Sequence, residues 1–148
     1  MTDIGTIIGW KFNHQAGMKT KAGVITAFPG DIPSQAEQDA WIAEYEATVP
    51  KENKKIEVKT EARRRILEIV PDWKQSNLNA RMNELNKKVS IDGGTLTADE
   101  LAEVAAMHAL WDQAKSIRNK SDALESVIAG MTTQELEDLK VADNIHWE

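Results

Sequence analysis

Between Thr97 and Gly130 the chain holds no proline and no glycine, and this run most limits what it can fold into. It opens Leu96-Thr97-Ala98-Asp99-Glu100-Leu101 and closes Ile128-Ala129-Gly130-Met131. Thr97 and Glu100 have the S/T-x-x-E spacing of a capping box, in which each side chain satisfies an orphan backbone N–H of the other. Leu96 and Leu101 stand where a hydrophobic staple closes over such a cap. Gly130 can take the left-handed conformation that ends a helix. One helix of roughly 32 residues, about 48 Å long, is therefore expected. Val104, Met107, Leu110, Ala114, Ile117, Leu124 and Ile128 recur in threes and fours along it, with Ser121 interrupting the stripe and Trp111 widening it. So long a stripe must bury against something. The middle, Lys115 to Asp122, is more polar than either half and is expected to be exposed or to meet another subunit through polar contacts.

Two more capping boxes mark helix starts, Ser34 with Glu37 and Thr132 with Glu135. The first predicts a short, half-buried helix carrying Trp41, Ile42 and Tyr45 to about Thr48, with Pro50 and the polar run Lys51 to Lys55 as a linker or a frayed helix start. From Ile56 the helical period returns. Ala62, Ile66, Ile69 and Trp73 form one stripe, and Leu78, Met82, Leu85 and Val89 another. The two are out of phase across Pro71, which predicts two helices or one sharply kinked there. Ser90 to Thr95 reads as a turn returning the chain to the long helix. The last box predicts a short terminal helix with Leu136 and Leu139. Trp147, next to the terminus, is expected to dock.

Residues 4–28 read as extended. Ile4, Thr6, Ile8, Trp10 and Phe12 alternate, as do Val24, Thr26 and Phe28, with Asn13 to Gly17 as a turn or loop between them. Such a hairpin would be marginal alone, so the arm is expected either to pack on the helices or to borrow a strand from a neighbouring chain, with the neighbour favoured. The fold expected is mainly α with a short N-terminal β arm, a helical hairpin or bundle dominated by one long helix. The domains expected are 1–50, arm plus short helix, and 51–148, a helical module.

A net charge of −6 argues against wrapping nucleic acid. The absence of cysteine excludes disulfides, thiol nucleophiles and Cys-ligated metals. No apolar run approaches the roughly 20 residues of a membrane span, and the N-terminus lacks a basic region followed by an apolar block, so no signal peptide is expected. His14, His108 and His146 show no ligand spacing, and neither a metal nor a cofactor is expected. Asp99, Glu100 and Glu103 lie in a helix's first turn, where the macrodipole favours negative charge, and read as structural. Arg63, Arg64 and Arg65 read as a solvated face with Glu61 and Glu68 as i,i+4 partners. No phosphate loop, dinucleotide fingerprint, zinc-protease motif or nucleophile elbow occurs, so no catalytic residue is assigned and the chain is not expected to be an enzyme. The five tryptophans are spread along the chain, and those in the terminal arms, Trp10 and Trp147, are expected to face a partner. The expected partner surface comprises Ile8, Trp10, Phe12, Leu110, Trp111, Ile117, Leu124 and Trp147.

Two stretches carry a resemblance. One runs from Glu61-Ala62-Arg63-Arg64-Arg65-Ile66 through Pro71-Asp72-Trp73-Lys74-Gln75-Ser76-Asn77 to Ala80-Arg81. The other runs from Leu110-Trp111-Asp112-Gln113-Ala114-Lys115-Ser116-Ile117-Arg118 through Ser121-Asp122-Ala123-Leu124-Glu125. Together they resemble a helical module at the C-terminal end of small tail-associated virion proteins of tailed bacteriophages, over about residues 60–130. The resemblance implies a structural or attachment role in the tail, its fibres or the baseplate, made in the host cytoplasm and carried in the virion. It brings no catalytic residues. Other virion proteins are the partners implied, and a homo-oligomer is expected, with a threefold bundle of long helices as the guess. The alternative is a tail or tail-fibre assembly chaperone absent from the mature particle.

Overall fold

A computed structural model describes residues 3–13 and 15–148. The protein is mainly α with a short two-stranded antiparallel sheet near its N-terminus. The elements are α1 (Ile4–Phe12), β1 (Lys19–Lys21), β2 (Val24–Ala27), α2 (Gln35–Ile69), α3 (Asp72–Ser90), α4 (Ala98–Gly130), α5 (Thr133–Asp138) and a closing 3-10 turn, Ile145–Trp147. They form two compact units, Met1–Asn53 with Met131–Glu137, and Lys54–Gly130 with Asp138–Glu148.

All three capping boxes form. Glu37 Oε2 accepts from the Ser34 backbone N at 2.8 Å, Glu100 Oε2 from the Thr97 N at 2.8 Å, and Glu135 Oε2 from the Thr132 N at 2.7 Å. The return bonds from the glutamate amides to Ser34 Oγ, Thr97 Oγ1 and Thr132 Oγ1 span 3.2–3.4 Å. These bonds hold the three carboxyls below their ordinary range: Glu37 chiefly through the Ser34 hydroxyl, Glu135 through the Thr132 amide, and Glu100 through Lys88 first and the Thr97 amide second. The long helix α4 therefore begins and ends where its sequence says, but the Leu96–Leu101 staple does not bury Leu101, which stays 57 % exposed.

The N-terminal segment departs from expectation. Ile4 to Phe12 is a helix, not a strand. The same residues satisfy two periods: alternation fits a strand, whereas Ile4, Ile7 and Ile8 at i, i+3, i+4 fit a helix. Caps are in place at both ends of the helix. The Asp3 carboxylate accepts from the Gly5 amide at 3.0 Å, and Asn13 closes the helix in the left-handed region at φ 51°. Gly5 suits that start, because a Cβ there would lie 2.7 Å from Asp3 Oδ2 and 2.9 Å from Thr20 Oγ1. The hairpin is shorter and later than read. Lys21 pairs with Val24 across Ala22-Gly23, both at positive φ (51° and 76°), the conformation a two-residue hairpin turn requires. Its inward residue is Ile25. Val24, read as sharing one face with Thr26 and Phe28, is 61 % exposed. A shift of one residue exchanges the faces of a strand, and Ile25 is the residue that meets α1.

In this first unit Ile4, Ile7, Ile8 and Ile25 make a buried cluster, with Phe12, Met18, Phe28, Trp41, Ile42 and Tyr45 packed around it. Phe12 stands edge-on to Phe28 at 5.4 Å and to Trp41 at 5.0 Å, and Trp10 edge-on to Tyr45 at 5.4 Å. The arm is thus folded onto the chain's own α2. Of the two outcomes expected for the arm, packing on the chain's own helices is the one seen, and these isoleucines and aromatics bury each other there.

Helix α2 also differs. It continues through Pro50 for 35 residues, where a short helix followed by a linker or a frayed helix start was expected. A proline inside a helix costs about 3 kcal/mol and removes one backbone bond. Lys51 to Lys55, read as a linker or frayed start for its polarity, consists mostly of good helix formers, and polarity alone does not stop a helix. Lys54 is fixed by Glu57 at 2.8 Å and by the Leu139 carbonyl at 3.2 Å. The break at Pro71 is real: α2 ends at Ile69, Val70 is fully buried, and α3 starts at Asp72. Trp73 does not continue the α2 stripe and is 68 % exposed. Because α2 carries its proline without a break, Pro50→Ala should raise stability by about 1–3 kcal/mol in denaturant titrations followed by circular dichroism. An unchanged midpoint would mean that Pro50 stands at a true helix end.

Candidate functional site

The second unit is built on α2 from Lys54 onward, α3, α4 and the C-terminal tail. Antiparallel contact of α3 with α4 is read from its ion pairs. Arg81 meets Glu103 through Nε at 3.0 Å and Lys88 meets Glu100 at 2.6 Å, so the position rises on one helix as it falls on the other. Leu85 of α3 and Met107 of α4 are buried. The acidic residues at the start of α4 are therefore engaged structurally, Glu100 by its cap and Lys88, Glu103 by Arg81.

The most connected polar group is Glu61, which is 9 % exposed on α2. Arg64 donates to both of its oxygens, Nε to Oε2 at 2.8 Å and Nη2 to Oε1 at 2.7 Å, and Arg65 Nε donates to Oε1 at 2.7 Å. Arg64 also pairs with Glu68. Arg65 goes further: its Nη2 donates to the Ala142 carbonyl at 2.8 Å, and its guanidinium lies 4.9 Å from the centre of the Trp147 ring. The indole N–H of Trp147 donates to the Val141 carbonyl at 2.6 Å, and Lys120 of α4 donates to the Trp147 carbonyl at 3.0 Å. This chain of contacts ties α2, the tail and α4 together. The arginine triplet is thus more than a solvated face, since Arg65 clasps the tail. The spacing to Glu61 and Glu68 revealed the local pairs; nothing in it revealed a partner some 80 residues away.

Two depressions flank α2 in this unit. One, of about 430 Å³, lies against α3 and α4, with Ala62, Ile66 and Leu67 at its apolar part and Arg63, Arg118, Asp72 and Asp122 among its charges. Lys59 reaches Glu125 there at 3.4 Å, and the Ser121 hydroxyl faces Glu125 Oε1 at 3.4 Å. The other, of about 520 Å³, lies between α2 and the tail segment Leu139 to Asp143. Both are open, mixed in charge and lined by no histidine. Among the described residues, no three His, Asp or Glu side chains are grouped so as to hold a metal, and no helix is long and apolar enough to cross a membrane. His14 lies outside the described residues.

The residues expected to face a partner are divided. Ile8 is 4 % exposed, Leu124 fully buried and Trp147 8 % exposed, each within its own unit, so none of the three offers surface to another chain. Phe12 is enclosed by Phe28 and Trp41. Trp10 is 38 % exposed, and Leu110, Trp111 and Ile117 are half-buried. The polar middle of α4, expected to be exposed or to face another subunit, is largely exposed: Lys115, Ser116, Arg118, Asn119 and Asp122 are open to solvent, while Ser121 is buried and Lys120 holds the tail. No family model matches the chain, no curated protein matches it, and no solved structure matches its fold.

The Glu61 carboxyl is held down to about 2 from an ordinary 4.5, first by the hydrogen bonds of Arg64 and then by those of Arg65, against the opposing effect of burial. A depressed carboxyl stabilises the fold above its unfolded value, and that stability is lost as pH falls through the folded one. Stability should therefore drop between about pH 4.5 and pH 2. Glu61→Gln should cost about 1–3 kcal/mol at neutral pH and flatten that acid limb, as measured by denaturant melts across the range. An acid limb of unchanged slope in the variant would remove Glu61 as its cause.

Proposed function

We propose that this protein is a structural component of a tailed-bacteriophage virion, associated with the tail, its fibres or the baseplate, and that it acts by attachment to other proteins. One observation carries the reading: the two stretches with the resemblance come together in one unit. Ala62, Arg63 and Ile66 from the first and Arg118, Ser121, Asp122 and Glu125 from the second line the same depression. Residues that carry a shared motif and also share a surface are those a common attachment role would use. The folded arm supplies no support, because its apolar residues are satisfied inside the chain.

A second reading, a tail or tail-fibre assembly chaperone, draws on the half-exposed apolar residues of the α3–α4 hairpin, a surface of the kind that engages a partner transiently. One measurement separates them. Mass spectrometry of purified particles should find this chain at a fixed copy number per virion. Its presence in infected-cell lysate but absence from particles would favour the chaperone, and its absence from both would remove the phage reading.

A further inference from the structure

The sequence holds five arginines, and their pairing divides them. Arg64 is bonded to Glu61 and Glu68, Arg65 to Glu61, and Arg81 to Glu84 and Glu103. Arg63 and Arg118 have no partner among the described residues. They stand on different helices, α2 and α4, yet both line the depression of about 430 Å³. Asp72 and Asp122 line it too. The bonds that these two accept from Ser76 and Ser126 go to main-chain carbonyls, and neither carboxylate has a partner among the described residues. Lys59 and Glu125, also in the lining, answer each other at 3.4 Å. The apolar part of the lining is Ala62, which is buried, with Ile66 and Leu67, which are half-buried. The depression therefore presents two free guanidinium groups and two free carboxylates around apolar side chains.

We propose that this depression takes a short peptide segment of another protein, one that carries a carboxylate and an ammonium on either side of apolar residues. Charge complementarity selects that occupant. A guanidinium pairs bidentately with a carboxylate, so Arg63 and Arg118 receive the acidic side chain. Asp72 and Asp122 receive the basic one, and Ile66 and Leu67 the apolar residues between. A ligand of one sign would be repelled by half of the unpaired groups, whereas a segment bearing both signs is drawn to all of them. The size agrees. Lys59 to Leu67 rises about 12 Å along α2, and four extended residues span about 13 Å. Apolar lining with a few polar groups that fix orientation is also how binding sites of this volume are built. That the occupant belongs to a protein partner rests on the attachment reading. Peptide binding is read on the purified protein and residence in particles by mass spectrometry, so either can fail alone.

Amide chemical shifts of the purified full-length protein, titrated with the capped peptide acetyl-Glu-Leu-Leu-Lys-amide into the millimolar range, test it. The amides that move should cluster at Ala62, Ile66, Leu67 and Ser121. Arg63→Gln and Arg118→Gln remove exposed groups that hold nothing in the chain. Each should keep the helical circular dichroism and weaken the peptide about tenfold. Glutamine in place of the peptide's glutamate should weaken wild-type binding by a similar factor, and a protein lacking both arginines should not distinguish the two peptides, the mark of a direct contact. Lys115→Gln, exposed on α4 outside the depression, should leave the affinity unchanged. An absence of shifts across the titration, or shifts centred elsewhere on the chain, would overturn the proposal. So would arginine variants that bind as well as the wild type, L-leucine alone binding as tightly as the peptide, or the same amides moving when the protein is concentrated by itself, which would seat a second copy there.

Discussion

The second unit depends on one buried carboxylate. Glu61 has two guanidinium groups to satisfy it, and one of these, Arg65, is held in turn by the Ala142 carbonyl and the face of Trp147. A carboxylate this far out of water is costly unless paired and hydrogen-bonded. Here the pairing also brings a distant segment of chain into place. The tail has little regular structure of its own, and it stays on the unit because Val141 and Trp147 are buried and because Arg65 and Lys120 hold its carbonyls. Charge on α2 thus fixes where the last ten residues go, and those residues cover part of α2 and α4.

The N-terminal unit is held by different physics. Its core is four isoleucines ringed largely by aromatics. Edge-to-face contacts orient Phe12, Phe28 and Trp41 around each other, adding about 0.5–1.5 kcal/mol per pair beyond burial. This core removes the premise that the arm is short of a partner. Apolar residues open to solvent are spread over both units, among them Val24, Ile32, Ile56, Trp73, Val89, Leu101 and Ile145.

The expected partner surface was legible only in part, and the reason is physical. A tryptophan near a terminus reads as a liability from sequence, and two outcomes remove it: docking on a partner or docking on the chain itself. Trp147 takes the second because Arg65 and Val141 are within reach. Leu124 belongs to the same stripe as Leu110 and Ile117, yet it is fully buried while they are not, since other elements meet only part of that helix. A stripe says which side of a helix is apolar. It does not say along how much of its length a neighbour lies.

Sequence by itself determined the helix starts. Ser34, Thr97 and Thr132 with glutamates three residues on, and the stop at Pro71, depend on bonds between neighbours in the chain, so local residues suffice to set them. Tertiary structure decided what local signals left balanced. Ile4 to Phe12 suits strand and helix alike, and its helix stands in a cluster with Ile25, Trp41 and Tyr45. Pro50 discourages a helix by a few kcal/mol at most, and α2 runs through it with favourable formers and packing on either side. The clasp from Arg65 to Trp147 joins residues some 80 apart, and no window of sequence short enough to read as a motif contains both.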